Sequence, residues 1–165
     1  MKGKQAELEN QFPSLRHGGA SSSAATTLKT RPQLYYPPRK SIEGRLNMDD
    51  GSWAVSCTTT QTFRLFEVPN PGVENCTVTY VARLKSEDLV GRAYLEMWCR
   101  FPSRGEFFSR GLGNPISGPC DWASCQTQFF LKAGEEPDLI RLNLVVEGHG
   151  TVFIKDAELT TVPSK

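Results

Sequence analysis

The sequence predicts an all-β fold, an antiparallel two-sheet β-sandwich. Three observations carry that expectation. Short apolar runs alternate with polar residues at a period of two, the signature of half-buried strands. Clusters of Gly, Pro, Asn and Asp punctuate those runs every eight to fifteen residues or so. No amphipathic helical pattern runs longer than about two turns.

Residues 1–44 read as a flexible, largely disordered N-terminal arm, because they are rich in Ser, Thr, Gly, Pro and charge and show no sustained periodicity. A short helical turn near Gln5 to Gln11 lacks an apolar face, and Tyr35-Tyr36-Pro37-Pro38 suits polyproline conformation. The texture changes after this arm, so residues 45–165 form the domain. Its candidate strands are Trp53 to Thr58, Gln61 to Val68, Cys76 to Leu84, Arg92 to Phe101, Glu106 to Ser109, Ala123 to Leu131, Ile140 to Glu147 and Thr151 to Thr160. Pro69-Asn70-Pro71-Gly72, Pro102-Ser103-Arg104-Gly105, Gly113-Asn114-Pro115 and Ala133-Gly134-Glu135-Glu136-Pro137 supply turns between them.

The last two strands belong to LNLVVEGHGTVFIKDAEL, Leu142 to Leu159. Leu142, Leu144 and Val146 face one way and Arg141, Asn143, Val145 and Glu147 the other; Val152 and Ile154 then alternate against Thr151, Phe153 and Lys155. The glycines flanking His149 predict a tight connection, so this stretch reads as a β-hairpin turning at Glu147 to Gly150.

One strand is built differently from the rest. In RAYLEMWCRF, Ala93, Leu95, Met97, Cys99 and Phe101 form an apolar face, while Arg92, Tyr94, Glu96, Trp98 and Arg100 mix aromatic planes with charged groups. Sugars present C–H patches that lie on aromatic rings and hydroxyls that take charge-assisted hydrogen bonds, so Tyr94, Glu96, Trp98 and Arg100 are candidate ligand-binding residues. Arg83, Arg141 and Asn143, on neighbouring strands, are candidate polar partners. Cross-strand pairs that merely cover the sheet are the competing account of the same face.

Nineteen basic and eighteen acidic side chains leave a formal charge of +1 over 165 residues, so no general field draws nucleic acid. Five cysteines leave at least one thiol unpaired; either all are thiols, or Cys120 and Cys125 are joined. The two histidines, His17 and His149, and the scattered cysteines do not give the spacing of a four-ligand zinc site. No run of about 18 apolar residues predicts a membrane span, and no leader is visible. The chain also reads as a fragment of a larger protein.

With its strands placed, the run from Gln61 to Leu159 resembles the jelly-roll carbohydrate-binding modules of the galactose-binding-like superfamily. The resemblance rests on FRLFEVPNPG, GRAYLEMW, GEFFSRG, the Asp121-Trp122 pair and the closing GHGTVFIKDAEL. Within the closing element Gly150, Val152, Phe153, Ile154, Asp156 and Leu159 match the family pattern, with Lys155 where its first acid stands. The resemblance implies a jelly roll, and a structural calcium bound by Asp156 together with Asp49, Asp50 or Glu67. No cofactor is otherwise required. Trp122 and Trp53 read either as packed corners or as sugar platforms.

Enzymatic readings find no selected pair among Glu96, Glu106, Glu147 and Asp156, and only His149 stands near a cysteine nucleophile's needs, so a non-enzyme is expected. Asn75-Cys76-Thr77 fits a glycosylation sequon, a pattern short enough to arise by chance. The expected function is non-catalytic recognition of carbohydrate. The alternative is a protein-interaction or sensory ectodomain with the same fold, its partner another protein. The implied setting is extracytoplasmic, as part of a periplasmic, cell-surface or secreted protein, with a cytoplasmic one as the alternative.

Overall fold

A computed structural model describes residues 51–165 in full and, of the first fifty, the backbone of Thr26–Thr27 (β1), Gln33–Leu34 (β2) and Arg45–Asn47 (β3). The remaining strands are β4 (Trp53–Cys57), β5 (Gln61–Pro69), β6 (Cys76–Ser86), β7 (Val90–Phe101), β8 (Gly105–Arg110), β9 (Ile116–Ser117), β10 (Cys120–Leu131) and β11 (Leu139–Pro163). Every pairing among them is antiparallel. The fold is the all-β, two-sheet sandwich of a jelly roll. No helix among the described residues is long and apolar enough to cross a membrane.

The strands form as their composition dictates. In β6, Val78, Tyr80, Ala82 and Leu84 are fully buried while Arg83 between them is exposed, so alternation assigns each side chain to a face before any partner arrives. The inward sets of the two sheets interdigitate into one core, which includes Val55, Leu65, Leu95, Met97, Leu142, Leu144, Val152, Ile154 and Leu159. Each such aliphatic side chain contributes about 1.5–3 kcal/mol by leaving water. Inside that core the Ser109 and Thr127 hydroxyls bond each other at 2.6 Å, which satisfies two buried polar groups. Tyr80 is fully buried and its hydroxyl has no hydrogen-bond partner among the described residues, and burial pushes its pKa far above that of an ordinary phenol.

Leu142 to Leu159 is not a hairpin. β11 runs unbroken for 25 residues and belongs to both sheets. From Leu139 to His149 it pairs with β7, and from Leu139 to Val146 with β5; from Gly150 to Ile154 it pairs with β4, and from Val152 to Pro163 with β6. The first sheet therefore carries β5, β11, β7 and β8, and the second carries β10, β6, β11, β4 and β3. Gly148 and Gly150 have φ of +119° and +134°, but they serve close backbone approach rather than a reversal. A Cβ at Gly148 would lie 1.9 Å from the Val90 carbonyl oxygen, and one at its register partner Gly91 would lie 1.9 Å from that of Glu147. His149, expected in a turn, is an exposed strand residue opposite Val90.

Within the stretch read as an arm, β1 pairs with Thr160–Thr161 of β11, and β2 pairs with Phe66 and Glu67 of β5. The Gln5 to Gln11 turn and the Tyr35 to Pro38 patch lie outside the described residues. All five cysteines, Cys120 and Cys125 included, are thiols. Burial raises the Cys125 thiol to about 11, which leaves it protonated and unreactive at neutral pH.

Candidate functional site

The outward face of the first sheet gathers most of the residues that alternation selected. On β7 it carries Arg92, Tyr94, Glu96, Trp98 and Arg100; register places Glu147, Val145, Asn143, Arg141 and Leu139 of β11 opposite them. On the other side β8 sets Arg110 beside Glu96, Phe108 beside Trp98 and Glu106 beside Arg100. Arg83 is not part of this face. It sits on β6 in the second sheet, opposite Lys155 and Ser124, because β6 pairs with β10 and the far half of β11 and not with β7.

Glu96 is the hub of the face. Its side chain is only 5% exposed, and it accepts three hydrogen bonds: Trp98 Nε1 to Oε1 at 2.8 Å, Asn143 Nδ2 to Oε1 at 3.0 Å and Arg110 Nε to Oε2 at 2.9 Å. Arg110 supplies the opposite charge that a buried carboxylate requires. Because a carboxylate at Glu96 only accepts, Asn143 must present its amide nitrogen to it and turn its oxygen away. That oxygen, Asn143 Oδ1, is buried without a hydrogen-bond partner among the described residues, as is Arg141 Nε two residues along the strand. Arg141 otherwise bonds Glu106 Oε1 through Nη2 at 2.8 Å, with Glu67 Oε1 3.8 Å from its Nε.

Around this recessed centre stand aromatic rings. Trp98 and Phe108 are half-buried, their centroids 5.0 Å apart at 44°, and the Arg110 guanidinium lies 4.4 Å above Phe108. Tyr94 is buried, and its hydroxyl donates to Glu147 Oε1 at 2.9 Å. Burial first, and then that hydrogen bond, push the phenol up to about 12. Phe108 and Arg110 were not among the sequence candidates, and Glu106 and Glu67 entered there only as a carboxylate weighed for catalysis and a calcium partner. The signal for the first three was present in GEFFSR, where the outward set of β8 is Glu106, Phe108 and Arg110.

The Arg92 guanidinium, hydrogen-bonded to Glu147, holds that carboxyl below the ordinary carboxylate value of 4.5; partial burial opposes it and the Tyr94 hydroxyl adds to it. A carboxylate whose folded pKa is depressed stabilises the fold above its unfolded pKa, and that contribution fades as pH falls through the folded value. Both partners are more than a third exposed, so water screens the pair and its contribution to stability is small. Melting temperature should therefore fall as pH drops below about 4.5, and by less in Glu147→Gln than in the unmodified chain; equal acid slopes in thermal scans would contradict this.

The second-sheet candidates are arranged differently. Asp156 is exposed, with φ of +53°, at a bulge of β11 between Lys155 and Glu158. It borders a cavity of about 290 Å³ lined by Gly51, Trp53, Phe66 and Ile154 to Ala157, in which Trp53 and Phe66 stack at 5.7 Å. Its partners in the implied calcium set do not gather: Glu67 faces Arg141 in the first sheet, and Asp49 and Asp50 lie outside the described residues. Among the described residues no three His, Cys, Asp or Glu side chains form a group that could hold a metal. Trp122 is half-buried on β10 with the Lys155 ammonium 4.1 Å above its ring.

No protein-family model and no curated protein matches the sequence. The fold is similar to that of solved carbohydrate-binding modules. A family 16 carbohydrate-binding module superposes with a TM-score of 0.45 at 10% identity, over 83% of this chain and 84% of that one. The CBM22-1 xylan-binding domain from Paenibacillus barcinonensis gives 0.49 at 11%, over 88% and 100%. The C-terminal family 22 module of a Clostridium thermocellum protein gives 0.46 at 12%, over 88% and 89%.

Proposed function

We propose that this chain is a non-catalytic carbohydrate-binding domain that takes a neutral glycan on the outward face of the first sheet, in an extracytoplasmic setting. The observation that carries the reading is the pairing of an aromatic platform with polar atoms that lack a hydrogen bond among the described residues: Trp98 and Phe108 stand beside the buried Asn143 Oδ1 and Arg141 Nε, the latter in ion-pair range of Glu67 but not hydrogen-bonded to it. A hydroxyl both donates and accepts, so a sugar ring resting on Trp98 would satisfy an acceptor and a donor that the fold leaves open. The preference for a neutral ligand follows from charge: Arg92, Arg100, Arg110 and Arg141 are each paired with a carboxylate, so the face offers no net attraction for an anion. Tyr94, Glu96 and Arg100 then act as supports that hold the platform and its polar neighbours in position.

Affinity electrophoresis through a panel of neutral polysaccharides tests this. Retardation is expected, and Trp98→Ala should abolish it while lowering the melting temperature by no more than a few degrees, because the ring is half-exposed. The same ion pairs favour a second reading, a protein-interaction domain whose cross-strand pairs only cover the sheet. No retardation on any neutral glycan, with a protein partner recovered through the same face, would establish that reading instead.

A further inference from the structure

We propose that the cavity between Trp53, Phe66 and the bulge of β11 is a second ligand site, which takes a single neutral sugar ring or a polyol of that size. Its walls come from β4, β5 and the far half of β11, none of them the Trp98 platform. Trp53, Phe66 and Ala157 pack against the core from its margin, so the cavity opens where the two sheets part.

Pairing explains why the chain leaves a gap there. β4 pairs with β11 only as far as Ile154, opposite Trp53, and the bulge between Lys155 and Glu158 follows at once. On the β4 side, residues 155 to 157 therefore have no paired strand among the described residues. A bulge takes backbone groups out of the ladder and re-aims side chains. Asp156 shows the effect: it holds a φ of +53° without being glycine, and no hydrogen bond or ion pair among the described residues engages its carboxylate.

The lining selects the ligand. Trp53 and Phe66 stack at 5.7 Å and 28°, and with Ile154 and Ala157 they make an apolar wall. Lys155 and Asp156 bring one cation and one anion, so the lining carries no net charge and draws neither an anion nor a cation. A wholly apolar ligand would cover the Asp156 carboxylate and the unpaired backbone groups with nothing that can bond them. A sugar ring meets both demands, with C–H patches for the aromatic wall and hydroxyls that donate to the carboxylate and accept from backbone N–H groups. A volume of about 290 Å³ stands at the lower end for ligand cavities, room for one ring and not for an extended chain. The occupant is therefore a free monosaccharide or the terminal unit of a glycan.

Methyl glycosides of glucose, galactose, mannose and xylose serve as probes, titrated into the isotope-labelled chain and followed by heteronuclear NMR. At least one should give saturable shifts at the Trp53 indole and at residues 154 to 157. Asp156→Gly is the key variant, because it removes the carboxylate and also relieves the left-handed backbone. Its melting temperature should be no lower than that of the unmodified chain, while its affinity for the glycoside should fall about tenfold or more. Trp98→Ala should leave these shifts unchanged, so this site stands or falls independently of the neutral-glycan reading of the first sheet. Absence of shifts with every glycoside would overturn the proposal, as would full binding by Asp156→Gly. Calcium chloride that shifts the same residues and displaces the sugar would also overturn it, by assigning the cavity to a cation.

Discussion

Alanine at Gly148 is expected to destabilise the domain by at least about 3 kcal/mol, because the substitution imposes a left-handed backbone on a residue with a Cβ and drives that Cβ into a carbonyl. The obstructing atom is the Val90 backbone oxygen, 1.9 Å from the ideal Cβ position, and backbone paired with β11 cannot swing aside as a flexible side chain can. Gly91→Ala should cost a similar amount, since its φ is +120° and its Cβ meets the Glu147 oxygen at the same distance. Gly113→Ala is the control: nothing lies within 4 Å of its Cβ and its φ is ordinary. Denaturant titration of the three variants measures this. A Gly148→Ala chain as stable as Gly113→Ala would mean that β11 does not require the close crossing with β7.

Glu96→Ala is expected to lower stability by about 3 kcal/mol, or about 10 °C in melting temperature for a domain of this size. The substitution takes the acceptor away from Trp98 Nε1, Asn143 Nδ2 and Arg110 Nε at once. Arg110 is 36% exposed in its side chain and can turn to water, but Asn143 is buried and cannot. Glu96→Gln should cost less, because one amide oxygen still accepts. Glycan retardation should weaken in both variants, since Trp98 and Asn143 lose the group that orients them. A Glu96→Ala chain that melts normally and binds normally would remove Glu96 from the hub of the site.

Much of the architecture was legible in the chain because period-two alternation is local. RAYLEMWCRF sorted correctly into Ala93, Leu95, Met97, Cys99 and Phe101 inward and Arg92, Tyr94, Glu96, Trp98 and Arg100 outward, and the structure preserves that division. The same reasoning placed Arg141 and Asn143 on the shared face. It does not reach Phe108 and Arg110: GEFFSR alternates as clearly, but only the pairing of β8 with β7 brings its outward set beside Glu96 and Trp98.

The hairpin expectation failed for a physical reason. Glycine with positive φ is required both where a chain reverses and where two backbones pass too closely for a Cβ. Gly148 and Gly150 belong to the second case, and nothing within four residues of them distinguishes it from the first. The obstructing atoms belong to Val90, Asp88 and Leu89, some sixty positions earlier in the chain.

The sequence by itself determined the fold class and, within nearly every strand, which side chains turn toward the core, because both follow from the spacing of apolar residues and the turn chemistry between them. Only the tertiary structure decided which strands are neighbours. Pairing partners and register are set by packing between segments far apart in sequence, so the grouping of Trp98 with Phe108, the joining of Glu96 to Asn143 and Arg110, and the removal of Arg83 to the opposite sheet appear only once β11 has been threaded through both sheets.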